Sequence, residues 1–267
     1  MKKESYTNVS VANVYEKPDF KSSVVTQALL GETLMVFGEQ GKWLNIRQWD
    51  GYEGWIRNFF VAEGAEAYVS CKTEIVIDDL FGAVYEDQNE SSTVIRGIVY
   101  GNVLKISEKE NNWYYVILPD GKLGWTNAVI KEEVGKDIRT FLMTESKRFL
   151  GIPYVWGGKT PKGFDCSGFI QTIMRAGGIE LPRDAQQQVQ FYGFKEIELS
   201  DIQGGDLIFF SDEGGNVDHV ALSLGESEFI HSSGFVKTEN FNKFSPGFNK
   251  QLYQNLYSVK SIEGYCN

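Results

Sequence analysis

The chain has 267 residues, 42% of them hydrophobic and 23% charged, a balance that fits two or three ordinary globular domains and excludes a disordered or membrane-spanning protein. A formal charge of −10 repels polyanions over most of the surface, so neither nucleic acid nor an anionic membrane is an expected partner. Three cysteines, Cys71, Cys166 and Cys266, stand at wide and irregular spacing, which argues against a disulfide framework and fits a reducing compartment.

Residues Met1 to Ser10 carry two lysines and then read polar, without the apolar run of a signal peptide. The expectation is a cytoplasmic protein; the alternative is a secreted one whose leader has been removed. Further along, the chain matches itself at an offset of 70: Val14-Tyr15-Glu16 falls on Val84-Tyr85-Glu86, Gly31 on Gly101, Leu34 on Leu104, Trp43 on Trp113, Asp50-Gly51 on Asp120-Gly121, and Gly54-Trp55 on Gly124-Trp125. Self-similarity of this kind marks a repeated structural unit, here 1–64 and 65–133. Short β-rich runs such as Thr33 to Phe37 and Trp43 to Arg47, divided by Asp-Gly turns, predict hairpins closing into a small barrel or sandwich. A Gly before one strand, a Trp opening the next, then Asp-Gly and Gly-Trp, resembles bacterial SH3-like modules. Trp43, Trp55, Trp113 and Trp125 are expected mainly as core residues, with ligand stacking as the alternative.

The pattern changes at residue 134. Lys131 to Lys136 reads as a linker, and Ile138, Phe141, Leu142 and Phe149 stand at helical spacing, with Asp137 placed to cap the helix. After the turn-rich Gly151 to Gly158 comes Phe164-Asp165-Cys166-Ser167-Gly168-Phe169-Ile170, leading into an apolar helix that reaches about Ala176. Cys166 therefore opens a helix, where the helix dipole and unpaired N–H groups favour a thiolate. The chain holds two histidines, His219 and His231, each inside a β-like apolar run, and their separation of 12 suits adjacent strands of one hairpin with Gly225 in the turn. On spacing alone they are structural, or they are a base and an orienting partner for Cys166.

Six motifs bear on that choice: Tyr154-Val155-Trp156-Gly157-Gly158, Phe164 to Phe169, Leu181-Pro182-Arg183, Gly205-Asp206-Leu207-Ile208-Phe209-Phe210, Asp218-His219-Val220-Ala221 and Phe229-Ile230-His231-Ser232. In type and order they resemble the NlpC family of cysteine endopeptidases, over about residues 137 to 265. The resemblance implies an α+β chain in which a papain-like catalytic domain, 134–267, follows two all-β SH3-like barrels. It also implies hydrolysis of cell-wall peptide bonds, commonly between γ-D-glutamate and a diamino acid, with Cys166 as nucleophile, His219 as base, His231 as orienting residue and Tyr154 as oxyanion donor.

SH3-like modules in front of such a domain resemble a subfamily that trims free muropeptides bearing an N-terminal L-alanine. By that likeness Asp165 and Ser167 are expected to receive the ammonium, and Glu16 and Tyr52 of the first module to wall the same end of the cleft. Asp165 also reads as a helix cap, and Glu16, recurring as Glu86, as a solvated or structural residue. Arg183 is expected either to bind a substrate carboxylate or to pair with Asp184 or Asp206. Ala185 departs from the hydroxyl residue that the family often carries there.

The expected partner is thus a peptidoglycan-derived peptide such as L-Ala-γ-D-Glu-diamino acid. A secreted wall-remodelling hydrolase, an acyltransferase and a non-catalytic wall-binding module are the rival readings. No cofactor is implied: the His and Cys residues lack metal-ligand spacing, and Gly204-Gly205 and Gly214-Gly215 lack the Lys and helix start of a phosphate loop.

Overall fold

The structure is a computed structural model that describes residues 3–132, 135 and 137–266. It divides into two compact units, Met1–Glu132 and Glu133–Asn267. The expected boundary between residues 133 and 134, with Glu133, Val134 and Lys136 of the expected linker, lies outside the described residues.

In the N-terminal unit the repeat is structural. Strands β1 (Lys3–Thr7), β2 (Val11–Tyr15), β3 (Val24–Leu29), β4 (Thr33–Gln40), β5 (Trp43–Arg47), β6 (Glu53–Arg57) and β7 (Val61–Ala62) form a sheet in the order β3-β2-β6-β5-β4-β1-β7. A five-residue helix, α1 (Glu66–Ser70), which the sequence reading did not anticipate, leads to the second copy. There β8 (Glu74–Val76), β9 (Phe81–Tyr85), β10 (Val94–Val99), β11 (Val103–Glu110), β12 (Trp113–Ile117) and β13 (Leu123–Thr126) follow the order β10-β9-β13-β12-β11-β8. Alternation along each strand sends the same repeat positions inward: Val14, Ala28, Leu34 and Ile46 in one core, and Val84, Ile98, Leu104 and Val116 in the other.

The tryptophans depart from expectation. Trp43 is buried, but Trp55, Trp113 and Trp125 are only half-covered. Tyr114 takes the inward position next to Trp113, so pleating turns that indole outward. Trp43 also starts its strand, yet Tyr15, Phe20 and the Arg57 guanidinium close over it, with the ring centroids 5.3 and 4.9 Å away and the Arg57 carbon 5.0 Å away. In the second copy Tyr85 still meets Trp113, with ring centroids 6.1 Å apart, but Glu90 and Asn127 stand in place of Phe20 and Arg57 and hydrogen-bond to each other instead.

The C-terminal unit begins with α2 (Ile138–Lys147), and the Asp137 side chain caps it by accepting the Thr140 N–H at 3.1 Å. A small hairpin, β14 (Lys159–Thr160) with β15 (Gly163–Phe164), feeds α3 (Cys166–Ala176) and the short α4 (Ala185–Gln188). The remaining elements are β16 (Lys195–Ile197), β17 (Leu207–Ser211), β18 (Val217–Gly225), β19 (Glu228–Ser233), β20 (Phe235–Asn240), α5 (Lys250–Gln254) and β21 (Leu256–Ser261). The strands make an antiparallel sheet in the order β16-β21-β17-β18-β19-β20.

The apolar face of α3 packs on this sheet, and Phe149, Phe164 and Phe169 meet edge-on with no exposed surface. Each such ring contributes about 1.5–3 kcal/mol of burial, which holds the start of α3 against β18 and β19. Buried Asp206 ties α2 to the ends of β17 and β21, accepting from Arg139 Nη1 at 2.8 Å and from the Ile262 N–H at 3.1 Å. Among the described residues no helix is long and apolar enough to cross a membrane.

Candidate active site

Helix α3 starts at Cys166 because Asp165 ends the extended approach and caps it, its Oδ1 accepting the Gly168 N–H at 2.7 Å. The same carboxylate accepts the Gly157 N–H at 2.9 Å, so the Tyr154 to Gly158 loop is tied to the first helical turn. That contact is close enough to demand glycine: a Cβ on Gly168 would lie 2.1 Å from the Gly158 carbonyl oxygen.

Arg183 completes the clamp and corrects an expectation. Its guanidinium forks onto Asp165, with Nη1 3.0 Å from Oδ1 and Nη2 2.5 Å from Oδ2, and Nη1 also donates to Ser167 Oγ at 2.9 Å. Neither Asp184 nor Asp206, the carboxylates expected from the sequence, is its partner in these bonds; Asp206 is held by Arg139, and Asp184 precedes α4 as its N-cap residue. Only 1% of Arg183 is exposed. A guanidinium buried to that degree must be paired where it lies, so it is a structural clamp on the residues flanking the thiol. Asp165 and Ser167 therefore sit beside Cys166, as the sequence implies, with their polar atoms already joined to Arg183.

The two histidines lie on β18 and β19, as expected, paired in the register Leu222 opposite Ile230. They occupy diagonal positions on that ladder, and His219 Nε2 is 2.7 Å from His231 Nδ1. Cys166 Sγ lies against the same strand, 3.8 Å from the Asp218 carbonyl oxygen, and the Val220 N–H also reaches it. Thiol and base are thus neighbours through the backbone on either side of His219. A further tie comes from Ser232, whose hydroxyl donates to the Phe164 carbonyl at 2.8 Å and fixes β19 to the segment just before Cys166.

The resting charges differ from the expected thiolate. Burial, and then the negative charge of Asp165, push the Cys166 thiol up to about 12, outweighing the N–H groups of Val220 and Ser167. Burial, and then His231, push the half-covered His219 down to about 3. Both directions favour the uncharged forms, thiol and neutral imidazole. The helix dipole is present, but desolvation of a sulfur in a residue 8% exposed is the larger effect.

Tyr154 is half-buried, its N–H donating to the Gly234 carbonyl at 2.8 Å, and its phenol is raised by burial and then by the nearby Cys166 and Asp165. Glu16 and Tyr52 belong to the N-terminal unit: Glu16 is exposed after β2, and Tyr52 is half-covered in the turn between β5 and β6. Sequence reasoning missed Glu239, whose Oε2 is 3.2 Å from His231 Nε2. Among the described residues no group of three or more His, Cys, Asp or Glu side chains is arranged to hold a metal ion.

A shielded thiol that opens a helix and lies against a strand bearing one of two linked imidazoles defines a class, the papain-like cysteine hydrolases. Comparison with known proteins makes it more specific. Residues 151–256 match the NlpC/P60 family, and residues 10–62 and 81–129 each match the bacterial SH3 domain. A γ-D-glutamyl-L-lysine dipeptidyl-peptidase of Bacillus subtilis strain 168 is 30% identical over 78% of this chain and 72% of its own length. Its namesake from Bacillus cereus is 31% identical over 78% of this chain, and the match spans 66% of that relative, just under two thirds. Dipeptidyl-peptidase 6 of Lysinibacillus sphaericus is 28% identical over 94% of this chain and 97% of its own. A crystal structure of an NlpC/P60 family protein from Bacillus cereus superposes with a TM-score of 0.83, covering 97% of this chain and 99% of the other; at 22% identity it establishes the fold. The chain belongs to the NlpC/P60 family of cysteine peptidases, with bacterial SH3 domains preceding the peptidase domain.

Proposed function

We propose that the protein is an endopeptidase that hydrolyses the γ-D-glutamyl to L-diamino acid bond of short peptidoglycan stem peptides with a free N-terminal L-alanine. The observation that carries this reading is the linkage of Cys166 through β18 to His219 and on to His231 at 2.7 Å. Support for the bond comes from the relatives named for γ-D-glutamyl-L-lysine peptides.

In this mechanism His219 takes the Cys166 proton as sulfur attacks the amide carbon. The oxyanion meets the N–H groups at the start of α3 and the Tyr154 hydroxyl. His219 then returns the proton to the departing amine, and water hydrolyses the thioester with His219 again as base. His231 shares the charge of the imidazolium, the part that Asp plays in the serine triad.

The test uses the full chain and L-Ala-γ-D-Glu-diamino acid peptides with a free or an acetylated alanine amine, alongside intact sacculi. Release of the dipeptide from the free-amine peptide, with little from the other two, is the expected result. No release by protein whose Cys166 is still alkylated in a His219-dependent way would refute this substrate. Preferential cleavage of sacculi would point instead to wall remodelling.

A further inference from the structure

We propose that Glu239 is a positioning residue that fixes the tautomers of both imidazoles and thereby leaves His219 with a basic nitrogen for the Cys166 proton. The inference rests on the reading of Cys166 and His219 as nucleophile and base, and adds a member that none of the six motifs contains.

The sheet brings Glu239 into place. On β20 it stands opposite Phe229, while Lys237 stands opposite His231, so Glu239 and His231 are diagonal neighbours on the ladder. His231 is 1% exposed, and its Nε2 has Glu239 Oε2 at 3.2 Å, a bent contact rather than a straight hydrogen bond. Two other residues hold the carboxylate. Lys237 Nζ is 2.9 Å from Oε1, and Asn249 Nδ2 donates to Oε2. Asn249 is itself fixed, because its Oδ1 caps α5 by accepting the Leu252 N–H at 2.9 Å.

Proton counting gives the consequence. Burial pushes the Glu239 carboxyl up, but the contacts from His231, Lys237 and Asn249 outweigh it and bring the group down to about 2. An ionised carboxylate can only accept. His231 must then carry its proton on Nε2, and a neutral ring has a lone pair on Nδ1. That lone pair, 2.7 Å from His219 Nε2, requires the His219 proton on Nε2. The nitrogen of His219 left over, Nδ1, is unprotonated and is the base. In the reverse order, with His231 Nδ1–H donating to His219, Nδ1 of His219 would carry the proton and no base would remain for the thiol. Once His219 is charged, Glu239 attracts the positive ring pair while Lys237, on the same strand, opposes it.

The chain has two histidines, so selective labelling of their ring nitrogens reads both tautomers in the intact protein. In the parent protein at neutral pH, long-range proton–nitrogen spectra should show Nε2–H on both rings. Glu239→Ala should move protons to Nδ1 and slow alkylation of Cys166 by iodoacetamide, mapped by peptide mass, by about 10- to 100-fold. Glu239→Gln, whose amide oxygen still accepts from His231, should keep the tautomers and slow the reaction less, with a shifted pH–rate midpoint. Unchanged tautomers and alkylation in Glu239→Ala overturn the proposal. If that variant does not fold, the same spectra on Glu239→Gln decide: Nδ1–H on His219 without loss of Cys166 reactivity is the refuting result. Because alkylation needs no peptide, His219→Ala separates the two levels. Cys166 reactivity indifferent to His219→Ala would sink the nucleophile–base reading itself, whereas dependence on His219 but not Glu239 sinks only this inference.

Discussion

In the N-terminal unit one buried polar position, repeated in both barrels, braces a backbone turn; in the C-terminal unit the buried polar side chains around the thiol are tied to one another. Glu32 accepts the Leu29 N–H at 2.9 Å, and 70 residues later Asn102 accepts the Val99 N–H at 2.9 Å. A carboxylate and an amide thus share one job at one repeat position, because a backbone N–H asks only for an acceptor, although Glu32 also accepts from the Trp49 indole at 3.1 Å. Around Cys166 the bonds run from Arg183 to Asp165 and Ser167, and from His219 through His231 to Glu239. Each member there fixes the charge or proton position of the next. That barrel position therefore admits a chemical exchange that the cluster around Cys166 does not.

The largest expected break in that contrast is at the thiol. Cys166→Ala should lower turnover of a cleaved stem peptide by about 10⁶-fold, as removal of a nucleophile does in a comparable catalytic unit, while urea unfolding keeps its midpoint or rises. Next comes Asp165→Ala, which removes the carboxylate that forks onto the buried Arg183 and should cost about 3–5 kcal/mol. Hydrogen exchange should localise that loss to α3 and the Tyr154 to Gly158 loop, leaving the barrels protected; equal loss in both units would contradict the clamp. Tyr154→Phe should remove about 2.7–4 kcal/mol of transition-state stabilisation, seen as a fall in kcat with unfolding unchanged. A fall in stability instead would make Tyr154 a packing residue.

Asn102→Ala tests the tolerant side. It deletes the acceptor for Val99 and the donor to the Ser10 carbonyl at 2.9 Å, which joins the two barrels. The expected loss is about 1–3 kcal/mol, read as faster exchange in β10 and β11 with the alkylation rate of Cys166 unaffected. Asn102→Asp, keeping the acceptor, should recover part of it.

How far the sequence was legible follows the same division. The repeat was plain because Gly and Trp positions recur without a gap, and the strands recur at the same offset. Cys166, His219 and His231 were legible because each stands in a motif of its own, and the structure sets the thiol against β18 and the two imidazoles 2.7 Å apart. Arg183 is legible as a residue held by a carboxylate, but its tie to Asp165, 18 residues away, is not, since the adjacent Asp184 is the nearer candidate. Glu239 was missed altogether: it is an acidic residue on an ordinary-looking strand, and its role arises only from diagonal register with His231. One signal was available, a Glu eight residues after His231, within reach across a tight hairpin. The neutral thiol was unreadable for a different reason, because helix position is a local property and desolvation is a tertiary one.

Acid stability should show the smallest difference between the units. Both histidines lie in the C-terminal unit, and the folded state holds His219 at about 3. Below pH 6.5 the unfolded chain binds a proton that the folded ring refuses, so stability is complete above that pH and falls as pH drops toward about 3. At pH 5.5 the loss from one such ring is about 1.4 kcal/mol, reduced to the extent that His219 is half-covered. Glu239, at about 2, adds its own loss only below the ordinary Glu range near 4.5. Between pH 6.5 and 5 hydrogen exchange should therefore quicken in β18 and β19 and not in the barrels, whose sequence contains no histidine. His219→Ala should flatten the dependence. A barrel that loosens equally, or a slope that survives the substitution, would mean that the acid-sensitive group lies elsewhere.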